Sequence, residues 1–188
     1  PNAPTVHTPG TTAASAAPEK TDGSRFDTPL DFVRAIWPLA QQAAATLRVS
    51  PRMIVAQAAL ETGWGRHGIR HADGTQANNL FGIKAGGGWG GPSVDVPTTE
   101  VLGGIARKVV AAFRSYGSLA ESVADYTRLI LTSPRYRAAL NTGGDGVAFA
   151  RALQDGGYAT DPAYAAKVLS IADGDTLTTA LERLKKSR

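Results

Sequence analysis

One carboxylate in this chain stands where chemistry is expected. Glu61 closes the run Ile54-Val55-Ala56-Gln57-Ala58-Ala59-Leu60-Glu61, and Thr62-Gly63-Trp64-Gly65 follows. The run is apolar almost all round, the mark of a helix buried in a core rather than laid on its surface. A charged carboxylate is costly to bury, so an acid at the end of such a helix must be paired, hydrogen-bonded or functional. Apolar surroundings raise its pKa and keep a proton ready for a leaving oxygen. Two glycines then stop the helix and flank a tryptophan. An acid emerging from a core beside an aromatic ring is a pattern found where sugars are cleaved. The competing reading is a structural glutamate satisfied by a backbone group or an arginine.

The other candidates are polar and aromatic. In Asp155-Gly156-Gly157-Tyr158-Ala159-Thr160-Asp161-Pro162 the glycines permit a sharp turn that presents the Tyr158 ring, with Tyr164 a second-rank alternative at the same site. The bland reading of Tyr158 is a half-buried tyrosine. Phe81 reads as core, whereas Trp64 and Trp89 have glycine neighbours and read as sugar-stacking faces of a cleft. Asn78 and Asn79 either donate amide hydrogen bonds to a substrate or stabilise their own loop. His67, His71 and Asp73 do not make a metal site: the histidine spacing suits zinc only on a helix, and Gly68 and Gly74 argue against one. With no cysteine, thiol catalysis and cysteine-ligated metals are excluded. No Gly-x-Ser-x-Gly elbow is present. No cofactor or metal is expected.

These residues need elements to hold them. Asp27-Thr28-Pro29 starts a helix running from about Leu30 to Leu47, with Pro38 inside it. Ser50-Pro51 opens the Glu61 helix in the same way. Positions 66–79 read as loop, and Asn79-Leu80-Phe81-Gly82-Ile83-Lys84 as a compact turn packed on the core. After a glycine-rich stretch the period changes to two, with Val94, Val96, Thr98 and Glu100 on one strand face and Asp95 on the other. Gly103-Gly104 signals a hairpin turn, and the return strand runs from Ile105 to Arg114. That register sets Thr98 opposite Val109 and Glu100 opposite Arg107, a pairing that by itself means only a weak ion pair. The rest is helical: Ser118 with Glu121 forms a capping box, Ser133-Pro134 starts a short helix, Asp145 caps another, and Asp161-Pro162 begins the last stretch, interrupted near Gly174.

The 188 residues suffice for one domain with a real core, read as residues 26–188. Residues 1–25 are rich in Pro, Ala, Thr, Ser and Gly and read as a flexible linker or tail. A chain that begins with Pro is expected to be a piece of a longer or processed protein, with any export signal upstream. No segment is apolar and long enough to span a membrane. The net charge of +4 suits an acidic polymer such as a cell wall. It is too weak and scattered for nucleic acid.

The two runs quoted above, Ala56 to Gly65 and Asn79 to Lys84, in that order and spacing, resemble the glucosaminidase domain of glycoside hydrolase family seventy-three, and most closely its flagellar members. The resemblance covers roughly Phe26 to Leu169. It implies an α+β, mainly α fold: a lysozyme-like helical core with a small, flexible two-stranded β-lobe. It also implies an endo-acting β-N-acetylglucosaminidase cleaving the β-1,4 bonds of peptidoglycan glycan strands in the periplasm, with flagellar rod proteins as possible partners of a missing N-terminal domain. Glu61 matches the family's catalytic acid. Glu100, in the matching strand, is the second carboxylate, which activates a water or stabilises a cationic intermediate. Tyr158 matches a functionally important tyrosine. Two other classes compete: a lytic transglycosylase, which works with one acid and forms an anhydro sugar, and a non-catalytic wall-binding or assembly module.

Overall fold

The computed structural model describes residues 25–86, 88–102 and 105–187, with the backbone alone for 99–102 and 105–106. All of the proposed tail but Arg25, and the Gly103-Gly104 turn, therefore lie outside the described residues. Six α-helices, one 3₁₀ turn and one hairpin are present among them: α1 (Pro29–Leu47), α2 (Pro51–Thr62), β1 (Ser93–Leu102), β2 (Ile105–Arg114), α3 (Leu119–Thr132), the 3₁₀ turn (Pro134–Ala139), α4 (Gly146–Asp155), α5 (Tyr164–Ala172) and α6 (Asp175–Lys186). The expected mainly helical α+β architecture is the observed one.

The α2 helix is the axis of the molecule. It packs on α1 on one side and α5 on the other. Every residue from Met53 to Ala59 is buried, the polar Gln57 included. Pro51 opens the helix, and Gly63 closes it in the left-handed conformation, its N–H returning to the Ala59 carbonyl. The chain stays left-handed through Trp64 and Gly65. Gly65 cannot carry a side chain, because a Cβ there would lie 2.3 Å from the Phe26 ring. Thr62 secures this end: its hydroxyl donates to the Ala58 carbonyl at 2.7 Å and accepts from the Gly65 N–H at 2.9 Å.

The hairpin has the register read from the sequence, with Thr98 opposite Val109 and Glu100 opposite Arg107. Its base is tied to the helical body in two places. Asn79 joins the compact turn to β2: its amide donates to the Ile83 carbonyl at 2.9 Å and the Arg114 carbonyl at 2.8 Å, and accepts from the Ile83 N–H at 3.0 Å. Asp125, buried on α3, accepts from Arg114 and from the Tyr116 hydroxyl, both at 2.7 Å, and from Arg128. Burial pushes the Asp125 pKa up, but these donors outweigh it and hold the carboxyl below its ordinary value. The stabilisation is thus present at neutral pH and lost as pH falls through that lowered pKa. Asp125→Ala leaves a largely buried Arg114 and the Tyr116 hydroxyl without their acceptor. We predict a loss of about 3 kcal/mol in urea unfolding at pH 7, near the lower end for breaking a buried pair because Arg114 keeps some solvent. A loss below about 0.5 kcal/mol would show that this anchor is dispensable.

Candidate active site

Glu61 occupies the last turn of α2, four residues and one helical turn beyond Gln57, so both side chains leave the same helix face. Its carboxyl is partly buried. Desolvation raises its pKa from 4.5 to about 7, opposed by a hydrogen bond from Tyr164. The Tyr164 hydroxyl, from the first residue of α5, donates to Glu61 Oε1 at 3.1 Å. It accepts in turn from Gln57 Nε2 at 2.8 Å, and Gln57 Oε1 accepts from the Tyr126 hydroxyl at 2.6 Å. The other carboxyl oxygen lies against Gly82, where an added Cβ would sit 3.0 Å from Oε2. Gly82 has φ +61°, which also favours glycine.

Aromatic rings enclose this network. Tyr126 stacks on Phe81 with centroids 3.9 Å apart, and Tyr158 stacks on Tyr164 at 5.7 Å. Burial raises the pKa of Tyr126, Tyr158 and Tyr164 alike, so all three stay neutral at any physiological pH. A cleft of about 660 Å³ opens beside them, with Gly82, Thr98 and Tyr158 in its wall. Lys84, Arg114 and Arg135 also line it.

Each sequence candidate has a place except Glu100, whose side chain lies outside the described residues. The ranking of the two tyrosines reverses at the acid: Tyr164 touches Glu61, while the Tyr158 hydroxyl donates to the Phe81 carbonyl at 2.7 Å. Tyr158 thus holds the backbone next to Gly82. Gly156 lets its turn pack, since a Cβ there would lie 2.6 Å from the Arg135 carbonyl. Asn79 spends both its amide hydrogens on backbone carbonyls. Asn78 is likewise engaged, donating to the Tyr116 carbonyl at 2.9 Å and accepting from Arg25. Of the two readings of these asparagines, loop stabilisation is the observed geometry. Trp64 packs edge-on against Phe32 at 5.9 Å, as part of the core's rim rather than a cleft platform. Trp89 is held by its indole N–H to the Pro92 carbonyl at 3.0 Å, with the Arg114 guanidinium 4.5 Å from its ring centroid. His71 bonds the Ser115 hydroxyl at 2.8 Å, and Asp73 accepts from Thr75. Among the described residues no cluster of His, Asp and Glu could hold a metal ion.

The sequence reading passed over Gln57, Tyr126 and Gly82. Gln57 carried a signal, as the lone amide in the otherwise apolar stretch Met53 to Ala59. Tyr126 carried none, since an aromatic at helical spacing reads as core.

A buried acid with a raised pKa, lying against a cleft-lining glycine on a helical core with a β-hairpin, is the kind of site that glycoside hydrolases use. The comparisons agree. The glucosaminidase family pattern, described as mannosyl-glycoprotein endo-beta-N-acetylglucosaminidase, matches residues 37–177, and the chain belongs to that family. It is 48% identical over 149 residues to the peptidoglycan hydrolase FlgJ of Pseudomonas aeruginosa, a match that spans 79% of this chain and 37% of that protein. A crystal structure of a mutant peptidoglycan hydrolase from Sphingomonas sp. A1 superposes with a TM-score of 0.79 at 47% identity, covering 82% of this chain and 99% of that one. The glycoside hydrolase domain of Salmonella typhimurium FlgJ gives 0.67 at 37% identity, covering 85% and 94%.

The raised pKa has a consequence for stability. Glu61 takes up its proton at about 7 in the folded chain and near 4.5 when unfolded, so between those values the unfolded state binds fewer protons. Wild-type stability should therefore fall as pH rises through that window, by about 3 kcal/mol. Glu61→Gln removes this dependence. In urea melts it should match the wild type near pH 4 and exceed it at pH 8, and an increment that does not grow with pH would contradict the buried-acid assignment.

Proposed function

We propose that this chain is the hydrolytic domain of a peptidoglycan-cleaving, endo-acting β-N-acetylglucosaminidase, with Glu61 as general acid. One observation carries the reading: a buried carboxyl, its pKa raised to about 7, lies against Gly82, which lines an open cleft. Glu61 donates to the departing glycosidic oxygen, the role its apolar site prepares. The relatives' printed names support the choice of substrate. So does the cleft wall, whose basic side chains suit a polymer that carries its charge on peptide carboxylates.

Glu100 is the proposed second carboxylate, activating a water or stabilising a cationic sugar. Strand alternation assigns position 100 to the same face as Thr98, which lines the cleft. Closure of the hairpin over a bound glycan would bring it toward Glu61. Tyr158 supports the site through the Phe81 carbonyl, and Trp89 holds the guanidinium of Arg114, which lines the cleft. The finer setting we propose, on the likeness to FlgJ, is local wall opening in the periplasm during flagellar rod assembly, with rod proteins as partners. No helix among the described residues is long and apolar enough to cross a membrane.

Purified peptidoglycan tests the reading. Glu61→Gln should lower turbidity clearance by about a hundred- to ten-thousand-fold while the chain stays folded. Activity equal to wild type would remove Glu61 from the chemistry. Mass spectrometry of the products should find reducing N-acetylglucosamine ends, and anhydro sugars would identify a transglycosylase instead. Glu100→Gln separates the hydrolytic routes. If Glu100 is the base, activity should fall as far as in Glu61→Gln, and azide should restore part of it. A much smaller loss would point to the substrate's own acetamido group as the participating group.

A further inference from the structure

We propose that Tyr126 and Gln57 are positioning residues that fix the direction of the proton at the acid: they oblige Tyr164 to donate to Glu61 Oε1, so that the acid's own proton resides on Oε2, against Gly82. The inference rests on Glu61 being the general acid and adds to it two positioning residues and one reactive oxygen.

The chain of bonds crosses three helices, from Tyr126 on α3 through Gln57 on α2 to Tyr164 on α5, and returns to Glu61 on α2. Gln57 and Tyr126 are both 0% exposed, so no solvent can substitute for a missing partner. An amide can be turned either way, and each phenol has one proton to give. If the Gln57 amide were reversed, its NH₂ would donate to Tyr126, whose own proton would then lack an acceptor among the described residues. A buried hydroxyl left in that state costs about 1–3 kcal/mol. Tyr126 thereby fixes the amide with its oxygen toward α3 and its NH₂ toward Tyr164. With a lone pair engaged by that NH₂, the Tyr164 hydroxyl turns its proton to Oε1 of Glu61. A carboxyl proton on Oε1 would meet that hydroxyl hydrogen head on, so it resides on Oε2. That oxygen faces Gly82, whose backbone forms part of the cleft wall.

The titratable groups described around Glu61 are phenols alone: Tyr126 from α3, Tyr158 from the turn after α4, and Tyr164 from α5. Among the described residues, desolvation and the Tyr164 bond set when Glu61 ionises.

The test uses Tyr126→Phe, which keeps the ring stacked on Phe81, and Gln57→Met, which keeps length and volume. In both, Tyr164 no longer has a fixed direction, and Glu61 can spend its proton on the Tyr164 oxygen. On purified peptidoglycan kcat should fall roughly tenfold with KM unchanged. The Tyr164 oxygen gives the protonated acid an acceptor it lacked, which favours the neutral form, so the alkaline limb of the kcat–pH profile should move to higher pH. Adding Tyr126→Phe to a Tyr164→Phe chain should change nothing further, because the bond it directs is already gone. A lower melting temperature with an unmoved alkaline limb in both variants would reduce Gln57 and Tyr126 to core packing and overturn the proposal, as would full additivity of the double variant. If Glu61→Gln retains activity, the fault lies with the acid assignment. If Glu61→Gln is inactive and the limb still does not move, only the positioning role fails.

Discussion

The structure depends on keeping one carboxyl neutral at a pH where exposed carboxyls are charged. Glu61 achieves this at the end of a helix buried along one stretch from Met53 to Ala59, with α1 and α5 on either side. Desolvation is the dominant influence on it. A single arginine or lysine in contact would reverse the sign, since an opposite charge at close range favours the ionised form. The site accordingly takes its hydrogen bond from a phenol. Burial raises the pKa of Tyr126, Tyr158 and Tyr164, so each directs a proton without adding a charge.

The same constraint explains the division between the body and the hairpin. The ion pairs with a buried carboxylate stand at the hairpin's base, where Asp125 gathers Arg114, Arg128 and the Tyr116 hydroxyl, while Asp31–Arg34 and Asp161–Lys167 in the helical body are exposed. Asn79 does the equivalent work with a neutral amide, tying the turn that carries Gly82 to the end of β2. Gly82 is thus fixed between two demands: its left-handed backbone forms the cleft wall, and its missing side chain leaves room for Oε2 of Glu61.

Much of this architecture was legible in the sequence. Helix starts at Pro29 and Pro51, the Ser118 cap and the hairpin register all follow from local rules whose energies act within a few residues. The buried helix ending in Glu61 was equally plain, because a lone acid closing an apolar run is costly to bury unless it is paired or put to use. The partners of that acid were not legible. Tyr158 and Tyr164 lie six positions apart around a turn, and only the packing of α5 decides which hydroxyl reaches α2. The Asn79 amide bonds Arg114, 35 residues away, so its commitment to the fold cannot be read from its own neighbourhood. Trp64 reads from its glycine neighbours as a sugar-stacking face of a cleft. Those glycines instead permit the tight left-handed turn that lays its ring edge on Phe32.

A buried acid of this kind sets stability against activity within one residue. Ionisation that is easy in the unfolded chain is resisted in the folded one, so the property that keeps a proton available also weakens the fold as pH rises. The surrounding structure offsets this with apolar packing, not with charge. Phe81 and Tyr126 stack at 3.9 Å, and Tyr158 bridges Tyr136 and Tyr164 at 5.7 Å each. These rings exclude the water that would return the carboxyl to its ordinary pKa, and they hold the phenols whose bonds give it direction. Packing and electrostatics here act on the same atoms, so the aromatic cluster belongs to the site as much as to the core.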